Sequence, residues 1–590
     1  MADPVPAGGG SREGSLRHSL ILLAAGAAIF LGTIVAPPSL MDDVDAVNAQ
    51  IARNMLDSGD WVTARINGVL YLEKSPLGYW LMAASYSVFG VHDWAARLPH
   101  ALGAIALMFV TAALGRWGFG VRAGFYAGLA VGSCAGLFLF SRIVIPDVLL
   151  TLAVACALYC FLRAVEEDGR WWVWGYWASI GVGMLLKGLL AALVPLATAA
   201  LYLVFTKGSL RRLRPVQGIL LAAAIYLPWV ALATLRNPPV FDVTLRSEPG
   251  VYRGFFWFYF LNEHVLRFLN LRFPRDYNTV PRIPFLALHL VWLFPWSVFL
   301  PAARAGADDR GRRLRLLALL WIGFLLAFLS LSTTQEYYSM PCYPAFAVLA
   351  GAALVHGPPR WTSAGYLALA VVGVAAAVTA GVILYLVRGV TPVGDISSAL
   401  STQDTAAYTL SLGHMHDLTL RSFAWLRGPL AAAGIALGAG TVAAWLTRRS
   451  VVAPICLSAM MVVFLQAAHS AMKTFDPYLS SRPLADAIGQ GPGGRLIVEG
   501  HYYPASSVVF YTNRRALLWH GKQDNLIYGA AAPGAPAVFL EDRDLEALWK
   551  GPERLYLVAP DTSQQKLEAL LGAVHVFASR GSKLVLSNLP

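Results

Sequence analysis

The feature that most constrains this chain is a series of apolar runs, each long enough to cross about 30 Å of hydrocarbon. We place these runs near residues 19–36, 95–115, 122–140, 146–163, 171–187, 189–206, 216–235, 284–303, 316–332, 340–356, 361–387, 429–446 and 451–470. Within lipid, backbone polar groups must be satisfied inside the segment, which favours helices. The sequence therefore predicts a polytopic α-helical membrane protein with about 13 transmembrane helices.

The composition agrees with this class of protein. Of the 590 residues, 57% are hydrophobic and 14% are charged, whereas a soluble domain usually carries about 25% charged residues. The net charge of +12 is typical of some nucleic-acid-binding proteins. Here, however, the Arg residues are scattered singly between apolar runs, so no nucleic-acid partner is expected. The five Cys residues all lie in apolar stretches, which predicts no disulfide framework in the polar C-terminal part.

Basic residues cluster in every second short loop, and these loops all lie on one side of the predicted membrane. The basic residues are Arg12, Arg17, Arg116, Arg122, Arg163, Arg170, Lys207, Arg211, Arg212, Arg214, Arg304, Arg310, Arg312, Arg313, Arg315, Arg360, Arg448 and Arg449. Because positive loops stay in the cytoplasm, this side is predicted to be cytoplasmic. An odd number of spans then places the N-terminus inside and the C-terminal tail outside.

The composition changes at about Lys473. Segments GRLIVEG, RALLWHG, PAVFLED, RLYLVAP and SKLVLSN are typical of short strands, and DRDLEALWKG and TSQQKLEALLGA are typical of helices. They predict a soluble α/β domain, large enough for its own core, with no nucleotide-phosphate loop after any strand. The predicted organisation is a cytoplasmic N-terminus (1–18), a transmembrane domain (19–472) with outer loops 37–94 and 236–283, and a C-terminal domain (473–590).

Two segments of the first outer loop have an apolar pattern. Val47, Ile51 and Met55 recur at helical spacing, which predicts a short amphipathic helix on the membrane surface. The stretch LGYWLMAASYSVFG, residues 77–90, is apolar but too short to span. It is predicted to be interfacial or re-entrant.

Three carboxylates follow the first apolar run within four positions, in MDDVDAVNAQ. One of Asp42, Asp43 and Asp45 can be explained as a helix N-cap, but a cap needs only one side-chain oxygen. The cluster therefore predicts a neighbouring cation or a group that must lose a proton. Asp147, directly after Pro146 at a helix start, is equally consistent with a cap and with a functional role.

Basic residues near these carboxylates form a second set of candidates. Glu73 and Lys74 are adjacent in YLEKSPLGYW. They form either a surface ion pair or two separate sites, a carboxylate for metal or sugar and an ammonium for phosphate. Lys187 stands alone in MLLKGLLAALVP, where an ammonium is costly unless it has a partner, so it is a functional candidate.

The second outer loop adds a cluster in FWFYFLNEHVLRF. It contains Glu263, His264 and Arg267 within about one helical turn. One His is weak evidence for a metal ligand, because such residues are more often simply hydrogen-bonded. The cation cluster, which continues with further Arg residues along the loop, indicates an anionic group such as phosphate.

Six of these segments occur in one order over roughly residues 20–356: DDVDAVNAQIARNMLDSGDW, LYLEKSPLGYW, SRIVIPDVLL, MLLKGLLAALVP, NEHVLRF and SLSTTQEYYSMPCYP. With them the chain resembles the GT-C glycosyltransferases of the 4-amino-4-deoxy-L-arabinose lipid A transferase and protein O-mannosyltransferase-like family. The resemblance implies a multi-pass enzyme of the bacterial inner membrane with a periplasmic C-terminal domain. It further implies inverting transfer of a sugar from a polyprenyl (undecaprenyl) phosphate donor to a lipid A-like, glycan or protein acceptor.

The resemblance also implies residue roles. Asp43 and Asp147 correspond to the family's acidic residues in the first and second outer loops. However, the family pattern Asp-Glu with a Tyr about five positions later is here Asp-Asp-Val-Asp with Asn48. Ungapped alignment places Asp45 on the Glu position, so the catalytic residue among Asp42, Asp43 and Asp45 stays open.

The remaining implied roles concern binding. Residues that would engage the carrier phosphate are Lys74, Lys187, Arg267 and Tyr338. Glu73 and His264 would hold zinc or another divalent metal. Thr334 stands where the family has a Lys, which weakens the inference of a lipid A-like acceptor.

The chemistry of such a donor explains the charged pairs. A carrier phosphate leaves more easily when cations match its charge, and an acceptor hydroxyl needs a general base, a role for Asp43. A phosphate acceptor would need no base, and Asp43 would then orient it. The alternative class is a lipid or solute transporter or flippase, which would place its charged sites near the bilayer midplane, often between repeated halves. Apart from Lys187, the candidates here are predicted at one face.

Overall fold

The computed structural model describes residues 10–167, 169–237, 240, 244–275, 279–304, 308–332, 334–401 and 417–590. Residues 1–9 of the predicted cytoplasmic N-terminus lie outside this description. So do residues 238–239, 241–243 and 276–278 of the predicted outer loop 236–283.

Ten helices in the described part of the chain are long and apolar enough to cross a membrane. They are Ser15–Val35, Asp93–Phe119, Asp147–Glu166, Leu189–Thr206, Leu210–Arg236, Asp309–Ser330, Glu336–His356, Pro359–Leu386, Arg427–Leu446 and Ala453–Thr474. Two bent pairs raise the number to 12 if each is one span: Val121–Gly132 with Ala135–Arg142, and Arg282–Trp292 with Trp296–Ala303. The predicted polytopic helical membrane fold is confirmed.

The predicted span at residues 171–187 accounts for much of the difference from about 13. It forms helix Arg170–Lys187, which packs against helices Asp147–Glu166 and Pro215–Arg236. Four of its residues are Trp and one is Tyr, so its average hydropathy is low although its side chains are large. Such residues are typical of the membrane–water boundary. The helix exists as predicted, but it is not among the spans defined by length and composition.

Shorter helical segments connect or end the spans. They are Leu210–Leu213, Gly254–Phe256, Trp257–Leu266, Glu336–Cys342, Ile396–Ala399, Arg421–Ala424 and Asp476–Leu479.

The first outer loop contains helix Val44–Ser58, a short antiparallel hairpin of β1 (Arg65–Ile66) and β2 (Val69–Leu70), and helix Leu77–Phe89. The predicted apolar face of the first helix is present, since Val47, Ile51 and Met55 are buried. This face packs into one core with apolar residues of the C-terminal part rather than into lipid. The predicted amphipathic helix is present, but the prediction that its apolar face lies on the membrane surface is wrong, because this face packs against the C-terminal part. Leu77–Phe89 has 13 residues, too few to span.

The C-terminal part forms a six-stranded mixed sheet. Its strands are β3 (Arg495–Glu499), β4 (Ala516–Trp519), β5 (Phe539–Leu540), β6 (Leu555–Pro560), β7 (His575–Arg580) and β8 (Lys583–Ser587). The order is β5-β4-β3-β6-β8-β7, with the first four strands parallel and β8 antiparallel to both its neighbours. The accompanying helices are Arg482–Gln490, Ser506–Thr512, Asn525–Ala530, Asp542–Trp549 and Gln564–Leu571. Strand β7 was not predicted, because its mostly exposed residues lack an apolar alternation.

Side chains of the first outer loop fasten the sheet domain to the membrane part. Asp42 accepts hydrogen bonds from the backbone N–H of Ser507 at 2.8 Å and from the Ser481 hydroxyl at 2.5 Å, and its Oδ2 lies 2.7 Å from Lys583 Nζ. The Asn67 side-chain amide both donates to and accepts from the backbone of Ala516. These contacts bring the sheet domain against the span ends that adjoin this loop.

Candidate active site

A cavity of about 720 Å³ lies where the ends of several spans meet the sheet domain. This volume is within the usual range for small-ligand sites. Eight of the residues predicted from the sequence line it: Asp43, Glu73, Lys74, Asp147, Lys187, His264, Arg267 and Tyr338. Asp42 and Asp45, the other two, are not part of its lining.

The carboxylate of Asp45 has a structural role, because both of its oxygens are bound by other residues. It is 1% exposed, forms an ion pair with Arg97 at 3.0 Å and accepts the backbone N–H of Val144 at 2.9 Å. Arg97 in turn donates to the carbonyls of Pro38 and Ser39. Both oxygens of Asp45 therefore hold the exit of the first span, and neither is available to a substrate. The ungapped alignment that favours Asp45 is not supported by this placement.

Asp42 has a structural role as well, because its carboxylate makes three contacts to the sheet domain. One of them is to Ser507 in the first turn of helix Ser506–Thr512, so Asp42 stabilises a helix start far away in sequence. The local cap predicted for this cluster is absent, because helix Val44–Ser58 has no side-chain cap hydrogen bond.

Asp43 is the one carboxylate of the three that faces the cavity. Its backbone N–H is fixed by the Tyr503 carbonyl at 2.9 Å and the Ser506 hydroxyl at 3.0 Å. Its carboxylate forms no hydrogen bond or ion pair with another residue in the described ranges. Asp43 also has φ 75°, a left-handed conformation that is costly for a residue with a side chain. Strain of this kind, held by long-range contacts, is typical of functional positions.

The environment of Asp43 changes its protonation. Burial is the largest influence and raises the pKa of Asp43 to about 7. His501 lowers the pKa in part, while the carboxylates of Asp42, Asp45 and Asp524 raise it further. A carboxylate with a pKa near neutrality can accept a proton during a reaction and release it afterwards.

Asp147 and Lys187 form an ion pair. Lys187 Nζ lies 2.5 Å from Asp147 Oδ1 and over the rings of Tyr337 and Tyr338, 5.2 and 4.9 Å from their centroids. The Asp147 carboxylate is almost fully buried. Asp147 thus supplies the partner that a lone ammonium needs at this depth. Pro146 occupies the N-cap position of this helix, and Asp147 lies in its first turn with its carboxylate paired to Lys187.

Glu263 organises two guanidinium groups at the cavity. It pairs with Arg267 at 3.2 Å and with Arg272 at 2.7 Å, and Arg267 also donates to the Tyr338 hydroxyl at 2.9 Å. Arg272 lines the cavity too, although the sequence did not distinguish it from the other Arg residues of this loop. Its ion pair with Glu263 spans nine positions, so helical spacing could not reveal it.

Glu73 and Lys74 pair with each other, Nζ to Oε1, at 3.3 Å. Glu73 also accepts a hydrogen bond from the Tyr71 hydroxyl. Burial alone would raise the pKa of Glu73, but Lys74 and the nearby guanidinium groups, together with the Tyr71 hydrogen bond, lower it overall. Glu73 is therefore ionised. The Lys74 side chain is 38% exposed, more than Lys187 or Arg267, which makes it the most accessible of these three cations.

The proposed metal ligands do not fit a metal site. His264 Nδ1 lies 2.6 Å from the Tyr259 carbonyl, to which it donates, and Nε2 accepts the backbone N–H of Leu189 at 3.2 Å. Burial lowers the pKa of His264, which keeps the ring neutral. Both ring nitrogens are thus used by the backbone. Among the residues described, no three His, Cys, Asp or Glu side chains are grouped to hold a metal, so no step is assigned to one.

His264 instead supports the turn that carries Lys187. Gly188 has φ 63°, and a Cβ at this position would lie 2.3 Å from His264 Nε2. Only glycine fits this conformation without strain. His264 packs close to Gly188 and accepts the N–H of Leu189, so it fixes the turn that ends helix Arg170–Lys187 and hence the direction of the ammonium.

Comparison with known proteins identifies relatives of part of the chain. Residues 73–232 match the family described as dolichyl-phosphate-mannose-protein mannosyltransferase. The chain is 33% identical over 321 residues to undecaprenyl phosphate-alpha-4-amino-4-deoxy-L-arabinose arabinosyl transferase 2 of Pseudomonas fluorescens, covering 52% of this chain and 51% of the relative. It is 30% identical over 318 residues to the corresponding transferase of Aeromonas salmonicida, covering 52% and 54%. The chain therefore spans about half the length of the curated relatives that it matches.

The fold is similar over nearly the whole chain to a solved protein, ArnT from Cupriavidus metallidurans. The crystal structure of ArnT bound to undecaprenyl phosphate superposes with a TM-score of 0.78 at 24% identity, covering 97% of both chains. Its apo structure gives 0.76 at the same identity. The resemblance found in the sequence is confirmed: the chain has the fold of this polytopic membrane protein, and it is similar in sequence to the arabinosyl transferases over about half of its length.

Proposed function

We propose that this protein is an inverting glycosyltransferase that uses a polyprenyl phosphate-linked sugar, with undecaprenyl phosphate as the carrier. The acceptor would be a lipid A-like lipid, a glycan or a protein. One observation carries the proposal: one cavity brings the carboxylate of Asp43, which has no hydrogen-bond or ion-pair partner among the described residues, together with the cations Lys74, Lys187 and Arg267. The names of the matched relatives, which are undecaprenyl phosphate-aminoarabinose transferases, support the choice of carrier.

The cations explain how the carrier phosphate would leave. Lys74 has one carboxylate partner and a partly exposed ammonium, and Arg267 presents its guanidinium beside the Tyr338 hydroxyl. Such groups match the charge that develops on the phosphate as its bond to the sugar breaks. Lys187, held by Asp147, adds a third positive charge to the same wall. Asp147 then acts as a positioning residue for Lys187.

The cavity also has an apolar part suited to the carrier chain. Its lining includes side chains from the membrane spans and the second outer loop: Leu193, Leu196, Phe268, Phe328 and Leu329. A polyprenyl tail bound along this surface would keep its contact with hydrocarbon while the phosphate reaches the cations.

Asp43 would act on the acceptor. In an inverting reaction the acceptor oxygen attacks the anomeric carbon opposite to the departing phosphate, and Asp43 would remove its proton. Its raised pKa suits this role near neutral pH. With a phosphate acceptor, no proton must be removed, and Asp43 would orient the nucleophile.

Binding of undecaprenyl phosphate without a sugar tests the carrier site. Replacing Lys74 or Arg267 by Ala removes a charged hydrogen-bond donor, which should raise the dissociation constant on the order of 10-fold or more. Arg267→Lys should recover only part of this loss, since Lys cannot bind phosphate with two parallel N–H groups. The constant would be measured by titration of the purified protein in lipid nanodiscs.

Arg282→Ala provides the matched control, because Arg282 is exposed and does not line the cavity. Its binding should equal that of the wild type. If the Lys74 and Arg267 variants also bind undecaprenyl phosphate normally, the carrier site is not here.

We also propose that the protein lies in the inner membrane with its N-terminus in the cytoplasm and the sheet domain in the periplasm. The basic residues of the short loops support this orientation. Alkaline phosphatase fused after Ser480 should therefore be active in a bacterial host, and fused after Arg212 it should be inactive. The reverse pattern would place the cavity in the cytoplasm and contradict the use of a donor at the outer membrane face.

A further inference from the structure

The sheet domain contributes two polar residues to the cavity that none of the roles above uses. Tyr503 follows strand β3 and Asn525 follows strand β4, and both line the cavity. Strands β3 and β4 are adjacent and parallel, so the two residues lie beyond the same carboxyl edge of the sheet. In open α/β sheets, ligands bind outside this edge.

The amide of Asn525 has unused hydrogen-bonding capacity. Its Nδ2 donates to the Tyr503 hydroxyl at 3.1 Å, while its Oδ1 is shielded from solvent and has no partner among the described residues. Exchanging the amide oxygen and nitrogen would let Oδ1 accept from Tyr503 but would leave the NH₂ group without an acceptor. A buried polar group without a partner costs free energy unless a ligand or water satisfies it.

Several contacts fix the position of Tyr503. Its N–H donates to His501 Nδ1 at 3.0 Å, and the two rings meet edge to face with centroids 4.3 Å apart. His501 Nε2 lies 2.8 Å from Asp524, the residue before Asn525. The Tyr503 carbonyl accepts the N–H of Asp43. The amide of Asn525 is therefore held at the wall that also positions Asp43.

We propose that Asn525, held by Tyr503, is a binding subsite for a hydroxyl group of a sugar ring. A sugar hydroxyl can donate a hydrogen bond to the amide oxygen of Asn525 and can accept one from an N–H of the same amide. The hydrogen bond to Tyr503 holds the amide in place for both contacts. The subsite would recognise the sugar rather than the carrier, since the phosphate-binding cations come from other elements. The proposal rests on the proposed glycosyltransferase function, and it adds the sheet domain to the residues that select the substrate.

The sugar could belong to the donor or to a glycan acceptor, and two measurements separate these sources. The first compares the dissociation constants of undecaprenyl phosphate and undecaprenyl phosphate-4-amino-4-deoxy-L-arabinose in nanodiscs. The second determines KM for a lipid A acceptor. Asn525→Leu keeps a similar side-chain volume and removes both polar atoms, and Tyr503→Phe removes the hydroxyl but keeps the backbone contact to Asp43. Gln523→Ala, at an exposed neighbour, is the control.

Asn525→Leu should weaken the binding of the sugar-bearing donor about 10-fold while the binding of undecaprenyl phosphate stays unchanged. Tyr503→Phe should give a smaller loss in the same direction, and Gln523→Ala none. A rise in KM for lipid A with unchanged donor binding would assign the same subsite to the acceptor. Unchanged binding and KM in both variants, or equal weakening of both carrier ligands, would overturn the subsite. Wild-type protein that does not bind undecaprenyl phosphate at all would instead overturn the proposed function.

Discussion

Asp43→Asn is expected to lower sugar transfer by about 100-fold or more, the usual contribution of a general base, while the protein stays folded and still binds undecaprenyl phosphate. Asn has nearly the same shape, and the carboxylate of Asp43 holds no other described residue that the change would release. Rates would be measured with labelled donor under single-turnover conditions. Normal turnover by this variant would remove Asp43 from the reaction.

The pH profile of the wild type gives a second readout of the same residue. Because burial raises the pKa of Asp43 to about 7, the protonated form prevails below this pH and cannot accept a proton. Transfer to a hydroxyl acceptor should therefore rise as the pH increases through about 7 and then level off. The residual activity of Asp43→Asn should lack this rise. A profile that is flat from pH 6 to 8 in the wild type would contradict the role of Asp43 as base.

Asp45→Asn should have the opposite consequence, a loss of stability. The change leaves the buried Arg97 guanidinium without its counter-charge, and breaking a buried pair in this way costs about 3–5 kcal/mol. The midpoint of thermal unfolding in detergent should fall clearly for Asp45→Asn and stay near the wild-type value for Asp43→Asn. A stable Asp45→Asn variant that has lost transfer would move the catalytic role to Asp45, as the ungapped alignment favours.

Much of the fold follows from local sequence pattern. Apolar runs locate the spans because a helix in lipid needs length and hydropathy, both of which are read along the chain. The strands β3, β4, β6 and β8 were predicted for a similar reason, as short apolar runs bounded by turn residues. The membrane-spanning character of helix Arg170–Lys187 and the existence of strand β7 are harder to predict. The helix is rich in aromatic residues, which lowers its hydropathy, and the strand is mostly exposed, so it lacks an apolar alternation.

Most of the charged residues that line the cavity could be predicted from the sequence, but their hydrogen-bond and ion-pair partners could not. Charges in or near apolar runs are costly without a reason, which singled out Lys187 and the Asp cluster. The division of that cluster depends on Arg97 and Lys583, which are 52 and 541 positions away from their carboxylates. No local pattern encodes such contacts. Likewise, the hydrogen bonds of His264 to backbone atoms, which use both ring nitrogens, are invisible in the sequence.

The contribution of the sheet domain was missed because this domain was interpreted by its fold type alone. A signal was present: HYYP directly follows the predicted strand GRLIVEG, and residues beyond the carboxyl ends of parallel strands are the usual ligand positions. Which of these loops meets the membrane part depends on the docking of the two parts, including the contacts of Asp42 and Asn67. That docking could not be predicted from either part separately.

The most direct test of the proposed function is the release of free undecaprenyl phosphate from labelled undecaprenyl phosphate-4-amino-4-deoxy-L-arabinose by the purified protein in nanodiscs containing lipid A. We expect the carrier phosphate to appear together with a glycosylated acceptor. For Asp43→Asn the rate should be reduced by about 100-fold or more. A folded wild-type protein that binds the donor but leaves it uncleaved, and instead moves it intact between the leaflets of a liposome, would contradict the glycosyltransferase and identify a flippase.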